Sequence, residues 1–299
     1  VVQLNNVCKI AAGKTFAIAL TEDGNLRGWG GNDFNCISPS GVNFNTPQPI
    51  YDLKNIKDFA VADQNFMALD NFGKVWVWGH SNIFGVLNEP VLIDGLENIT
   101  DIACSAYWFS LALKSDGTVW AWGSNSNGEL GDGSPKPEIT KIPQQIPGLS
   151  DIVKIAAGAS HGLALQNNGD IWAWGSNLTG QLGIGNTTIK YSPVFVCTTT
   201  PLSRIYASMY RSHFLTENGD VWSWGRGLGT THLGSLGYDD LSPVKRNLTG
   251  LKQIVFYPNH GFYIQSDGHL YGWGSNFYGE LGSGSTSSNS PLTEIILPN

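Results

Sequence analysis

Ile155-Ala156-Ala157-Gly158-Ala159-Ser160-His161-Gly162-Leu163-Ala164-Leu165, then Asn168-Gly169, then Ile171-Trp172-Ala173-Trp174-Gly175-Ser176-Asn177, is the stretch that decides the fold. Two short apolar runs flank an Asn-Gly pair, which supplies the positive φ values that a two-residue hairpin turn needs. The stretch therefore reads as two short antiparallel strands.

The same unit recurs along the chain. Trp-Gly stands at Trp29-Gly30, Trp78-Gly79, Trp122-Gly123, Trp174-Gly175, Trp224-Gly225 and Trp273-Gly274. Successive tryptophans are 49, 44, 52, 50 and 49 residues apart. Just upstream of each lies a turn: Asp23-Gly24, Phe72-Gly73, Asp116-Gly117, Asn168-Gly169, Asn218-Gly219 and Asp267-Gly268. A sheet made from one such repeat cannot bury both of its faces, so neighbouring copies pack face to face. The ladder Trp76/Trp78, Trp120/Trp122, Trp172/Trp174 and Trp222/Trp224 is expected to fill the space between them. A circular arrangement leaves only short sheet edges, whereas a linear solenoid needs polar capping repeats, and neither end reads as one. The expectation is an all-β chain, with residues 1–299 forming a single closed β-propeller of mostly four-stranded antiparallel blades. Six blades are favoured and seven are possible, with repeats near 5–53, 54–96, 97–149, 150–199, 200–250 and 251–297.

The fourth repeat, continued by Gly180-Gln181-Leu182-Gly183, resembles the repeat of the regulator-of-chromosome-condensation family. Asn127-Gly128-Glu129-Leu130-Gly131 and Tyr278-Gly279-Glu280-Leu281-Gly282 repeat its close, and the resemblance spans residues 5–297. The family commonly builds seven blades, so a degenerate seventh blade or a shortened chain is the alternative to a ring of six. The first and fifth repeats are eroded, at Asn32-Asp33-Phe34-Asn35-Cys36 and Thr230-Thr231-His232-Leu233-Gly234. Val2-Gln3-Leu4 and Glu294-Ile295-Ile296-Leu297 both look like a repeat's terminal strand, and one could pair with the other to close the ring.

The composition bounds the function. A net charge of −7 argues against a generic nucleic-acid surface, which wants clustered Lys and Arg. No apolar run approaches the ~20 residues of a membrane span, and Val1-Val2-Gln3-Leu4 does not read as a signal peptide. Cys8, Cys36, Cys104 and Cys197 lack C-x-x-C spacing and read as isolated thiols. A cytoplasmic monomer is the expectation.

Covalent chemistry is not expected. Gly13-Lys14-Thr15 echoes a phosphate-binding loop, but Cys8 stands where that motif needs glycine. Gly158-Ala159-Ser160-His161-Gly162 fits G-x-S-x-G, yet strand-like residues follow where a nucleophile elbow needs a helix. The six histidines show no metal spacing. No catalytic residue, metal or cofactor is therefore assigned.

A partner site is sought on the loops. Eight residues before each hairpin glycine stand Phe16, Asn65, Phe109, His161, Arg211 and His260. Such side chains either fix each blade through backbone hydrogen bonds or form a partner-facing ring on one rim. The resemblance adds a mechanism, because the family's founding member exchanges nucleotide on the small GTPase Ran with a β-wedge from an early blade. Asn82-Ile83-Phe84-Gly85-Val86-Leu87-Asn88-Glu89-Pro90 replaces the usual turn in the second repeat, and its Gly85-Val86-Leu87-Asn88-Glu89-Pro90 string resembles part of that wedge in a shorter form. Asp33 occupies the place of an acidic contact residue, while His80-Ser81-Asn82-Ile83 lacks the acidic residue expected before the wedge. The implied function is guanine-nucleotide exchange on, or regulation of, a Ran-like GTPase. The chain also resembles effectors of this family that bacteria deliver into the host-cell cytosol. The alternative is a non-catalytic propeller that caps a partner, similar to β-lactamase inhibitors of this fold. The G-W-R-H-T motif of the plant ultraviolet receptor is absent.

Overall fold

The computed structural model describes residues 4–13, 15–62, 65–81, 83–105, 109–198, 202–226, 239–246, 248, 250–256 and 260–296. Each repeat becomes one sheet of four antiparallel strands in chain order. Blade 1 holds β1 (Val7–Ala12), β2 (Phe16–Thr21), β3 (Leu26–Gly30) and β4 (Phe44–Pro49). Blade 2 holds β5 (Ile56–Ala62), β6 (Asn65–Asp70), β7 (Val75–Ser81) and β8 (Gly85–Leu92). Blade 3 holds β9 (Ile99–Cys104), β10 (Phe109–Lys114), β11 (Val119–Ser124) and β12 (Ile139–Gln145). Blade 4 holds β13 (Ile152–Ala157), β14 (His161–Gln166), β15 (Asp170–Gly175) and β16 (Lys190–Thr198). Blade 5 holds β17 (Leu202–Ala207), β18 (Arg211–Thr216), β19 (Val221–Gly225) and β20 (Asp240–Lys245). Blade 6 holds β21 (Leu251–Phe256), β22 (His260–Gln265), β23 (Leu270–Asn276) and β24 (Ser287–Ile295).

The hairpin turns sit where the Gly pairs placed them, and Gly24, Gly73, Gly117, Gly169, Gly219 and Gly268 all take positive φ. The segment after Ser160 is strand β14, so no helix supports an elbow there. First strands face the axis, and those of blades 1, 3, 4, 5 and 6 line a 930 Å³ channel that includes Lys9, Asp101, Lys154 and Arg204.

The blades pack face to face through five apolar cores. Leu111, Leu113 and Val119 of blade 3 meet Ile152, Ile155 and Trp174 of blade 4, and matching cores join blades 1 and 2, 2 and 3, 4 and 5, and 5 and 6. The second tryptophan of each W-x-W pair is the interblade plug: Trp78, Trp122, Trp174 and Trp224 are fully buried. The first is only half-buried, so Trp76, Trp120, Trp172 and Trp222 border the cores instead of filling them. A hydrogen bond fixes several plugs. The indole N–H donates to the preceding repeat's closing turn, from Trp78 to Cys36 at 2.8 Å, Trp174 to Glu129 at 2.9 Å and Trp224 to Gln181 at 2.9 Å.

Closure of the ring rests on its two end blades. Among the described residues no core joins blade 6 to blade 1, and a 620 Å³ cavity lies between them. Val2, Gln3 and Leu297, on which the proposed terminal pairing rests, lie outside the described residues, as do Thr230 to Gly234.

Candidate functional site

Strand register puts the candidate residues at one rim. Phe16, Asn65, Phe109, His161, Arg211 and His260 pair with Gly30, Gly79, Gly123, Gly175, Gly225 and Gly274, the glycines of the six Trp-Gly pairs. Burial separates the two readings of this register. Phe16, Asn65, Phe109, His161 and Arg211 are all buried, and His260 is half-buried. Phe16 packs on Phe66 of blade 2 with ring centroids 4.5 Å apart. Phe109 lies in the core between blades 3 and 4.

His161 links two blades. Its Nε2 lies 2.9 Å from the Ser212 hydroxyl, which itself donates to the Gln181 carbonyl at 2.7 Å. With the hydroxyl proton so used, Nε2–H is the donor to Ser212 and the ring is neutral. Burial pushes its pKa down to about 3. Arg211 is equally internal. It donates to the Arg226 carbonyl, to Ser223 Oγ and to the Asp240 carboxylate, which it shares with Arg246. Burial, followed by the neighbouring Arg246 charge, lowers its pKa to about 10. Phe16, Phe109, His161 and Arg211 thus act as blade fasteners, and Asn65 is buried at the same register. Burial also lowers the pKa of His260, against the opposing Glu280 charge.

The other candidates do come together at the surface. Asp33 is exposed and opens a 3-10 turn over Asp33–Asn35. That turn is locked to the second-blade segment: Asn35 donates to Asn88 Oδ1 at 3.1 Å, and the Tyr51 hydroxyl sits against the carbonyls of Asn35 and Asn88. The wedge-like segment is the hairpin strand β8, in which Gly85, Val86 and Leu87 pair with Ser81, His80 and Gly79. Phe84 and Leu87 pack on apolar cores, and Lys141 lies 5.9 Å from the Phe84 ring centroid. Val86, Asn88 and Glu89 are exposed beside Asp33's turn.

Sequence reasoning missed the rest of this rim. In four of the six repeats an asparagine holds the closing turn: Asn177, for example, accepts from Leu182 N–H and donates to the Asn186 and Thr188 carbonyls. Asn32, Asn125 and Asn276 do the same in their repeats. The turns then lift apolar residues into solvent. Leu178 is exposed, as are Phe277 at 62% and Tyr278 at 86%, whose rings meet edge to face. Their position right after the bracketing Asn was the available signal. Among the described residues no group of three His, Cys, Asp or Glu side chains is placed to hold a metal.

A ring of four-stranded blades whose interblade gaps are plugged by tryptophans and whose rim is fixed by buried polar side chains defines a repeat β-propeller. The regulator of chromosome condensation (RCC1) repeat matches residues 7–36, 99–207 and 251–295 in overlapping segments, and the chain belongs to that family. It is 31% identical to Protein pim1 of Schizosaccharomyces pombe in an alignment of 216 positions that covers 62% of this chain and 40% of Pim1. It is 30% identical to the ultraviolet-B receptor of Arabidopsis thaliana in an alignment of 239 positions that covers 75% of this chain and 53% of the receptor. The chain thus spans about half or less of the length of these relatives. In fold it is similar to Prp20p from Saccharomyces cerevisiae, described with its binding properties to Gsp1p and histones. That likeness has a TM-score of 0.83 at 22% identity and covers 97% of this chain and 77% of Prp20p.

Proposed function

We propose that this propeller binds a Ran-like small GTPase through the Asp33 turn and the β7–β8 hairpin and speeds release of its nucleotide. The observation that carries the reading is their juxtaposition: the two segments that the family resemblance singles out, 53 residues apart, are tied together at Asn35 and Asn88. The likeness to Prp20p, described with its binding properties to Gsp1p, supports the same partner class. Exchange asks for no acid, base or nucleophile. A binder that prefers the nucleotide-free GTPase lowers nucleotide affinity by reciprocal coupling.

The test is release of a fluorescent GDP analogue from purified Ran-like GTPases. Because Phe84 and Leu87 help hold the core, the informative variants are Val86→Asp and Glu89→Lys, whose side chains are exposed. Each is expected to slow exchange roughly tenfold or more if it removes a binding hot spot, with the melting curve unchanged. No acceleration by the wild-type chain overturns the reading. The exposed pair Phe277 and Tyr278 favours a second reading, capping of a partner by the apolar rim. In that case Tyr278→Ala weakens binding and Val86→Asp does not.

A further inference from the structure

One register of the first strands carries charge into the axial channel. Lys9, Asp58, Asp101, Lys154, Arg204 and Gln253 pair with Leu20, Leu69, Leu113, Leu165, Leu215 and Ile264, the equivalent residues of the six second strands. They therefore stand at one level, one per blade, and five of them, all but Asp58, line the 930 Å³ channel.

The charges at this level do not cancel. The two carboxylates stand on adjacent blades, and each takes one cation: Lys9 pairs with Asp58, and Lys154 lies 3.4 Å from Asp101. Arg204 is left over. It is exposed, and among the described residues it enters no ion pair. Its neighbours at that level are Lys154, a second cation, and Gln253, a neutral amide. Tyr206, two residues along the same strand, also lines the channel, and the Arg204 charge beside it opposes the upward push of burial on its pKa. Lys154 is loosely held. Its contact with Asp101 is longer than the about 2.7–2.9 Å of a well-formed charged hydrogen bond, and its side chain is 54% exposed, so turning it toward Arg204 costs little.

We propose that Arg204, Lys154 and Gln253 form a channel site for the phosphate group of a small molecule. A guanidinium fork, an ammonium and an amide on three adjacent blades supply donors for three oxygens, which a phosphate group presents and a carboxylate does not. The charge count sets the size of the ligand. Arg204 and Lys154 together neutralise one dianion, whereas a polyphosphate would bring further negative charge toward Asp101 and Asp58 and into a chain of net charge −7. Asp101 competes with the ligand for Lys154, because burial raises the Asp101 pKa and Lys154 holds it down. The site lies on blades 4, 5 and 6 and does not depend on the exchange reading.

The test is calorimetric titration of inorganic phosphate, glycerol 3-phosphate, acetate and triphosphate into the full chain. Ionic strength is held constant with chloride because screening weakens every charged contact, and a pH of about 8 keeps the phosphate group a dianion. Saturable one-site binding of inorganic phosphate or glycerol 3-phosphate is expected. The tighter of the two assigns the source, free phosphate or a monoester. Arg204→Gln is expected to weaken binding roughly tenfold or more by removing the charged fork, with the melting curve in chloride unchanged. Asp101→Asn is expected to tighten it roughly threefold, because Lys154 is then released to the ligand. A merely structural Asp101 would not produce that gain. Absence of saturation with both phosphates, or binding that survives Arg204→Gln, overturns the site. Acetate or triphosphate binding as tightly as phosphate overturns the phosphate assignment.

Discussion

Trp174→Ala and Trp29→Ala remove the same side chain from equivalent places in two blades, and the structure assigns them unequal costs. Trp174 is fully buried among Leu111, Leu130 and Ile155, and its indole donates to Glu129 at 2.9 Å. Truncating a buried Trp costs about 3–5 kcal/mol, and leaving the Glu129 carbonyl without its donor keeps the total toward the upper end. With an unfolding entropy of about 2.1 cal/mol/K per residue, 4 kcal/mol lowers the Tm by about 6 °C in a chain of this length. Trp29 is half-buried, and no indole hydrogen bond is recorded for it among the described residues. Its loss should cost roughly half as much or less, about 1–2 kcal/mol. Thermal and urea melts followed by near-ultraviolet circular dichroism measure both. Equal losses would refute the reasoning, because Trp29 would then be plugged into a neighbour as Trp174 is.

Two further predictions concern the fastened rim. His161 is neutral when folded, with a pKa near 3, and titrates near 6.5 when unfolded. The unfolded chain therefore binds the extra proton, so stability is full above pH 6.5 and falls as pH drops toward 3, by about 2 kcal/mol at pH 5. His161→Phe, which installs the residue found at this register in blades 1 and 3, should remove that part of the slope in melts from pH 7.5 to 5. Arg211→Ala should destabilise the fold by about 2 kcal/mol, since it deletes charge-assisted hydrogen bonds inside blade 5. A variant that melts with wild type but loses partner binding would return Arg211 to the binding surface.

The repeat was legible because every hairpin needs glycine at positive φ and every interblade gap needs a large ring, and both leave residues at fixed spacing. The rim register was legible for the same reason: a fixed offset from the turn glycine fixes the pairing with the Trp-Gly glycine. Burial at that register was not. His161 and Arg211 look like surface residues until Ser212, Gln181 and Asp240, distant in sequence, arrive to satisfy them. The segment at 84–89 reads as a free wedge because residue type does not reveal that Leu87 and Val86 pair with Gly79 and His80. Trp29 is indistinguishable in sequence from its five equivalents, and its partial exposure shows only once the described residues of blades 6 and 1 are seen without a shared core.

The central claim, a rim that prefers a nucleotide-free GTPase, is tested most directly by calorimetric titration of the chain into a Ran-like GTPase stripped of Mg²⁺ and nucleotide with EDTA. The account predicts a one-to-one complex that dissolves when GDP and Mg²⁺ are restored, because coupling between partner and nucleotide is reciprocal. No complex in EDTA, or one equally tight with GDP bound, would contradict it.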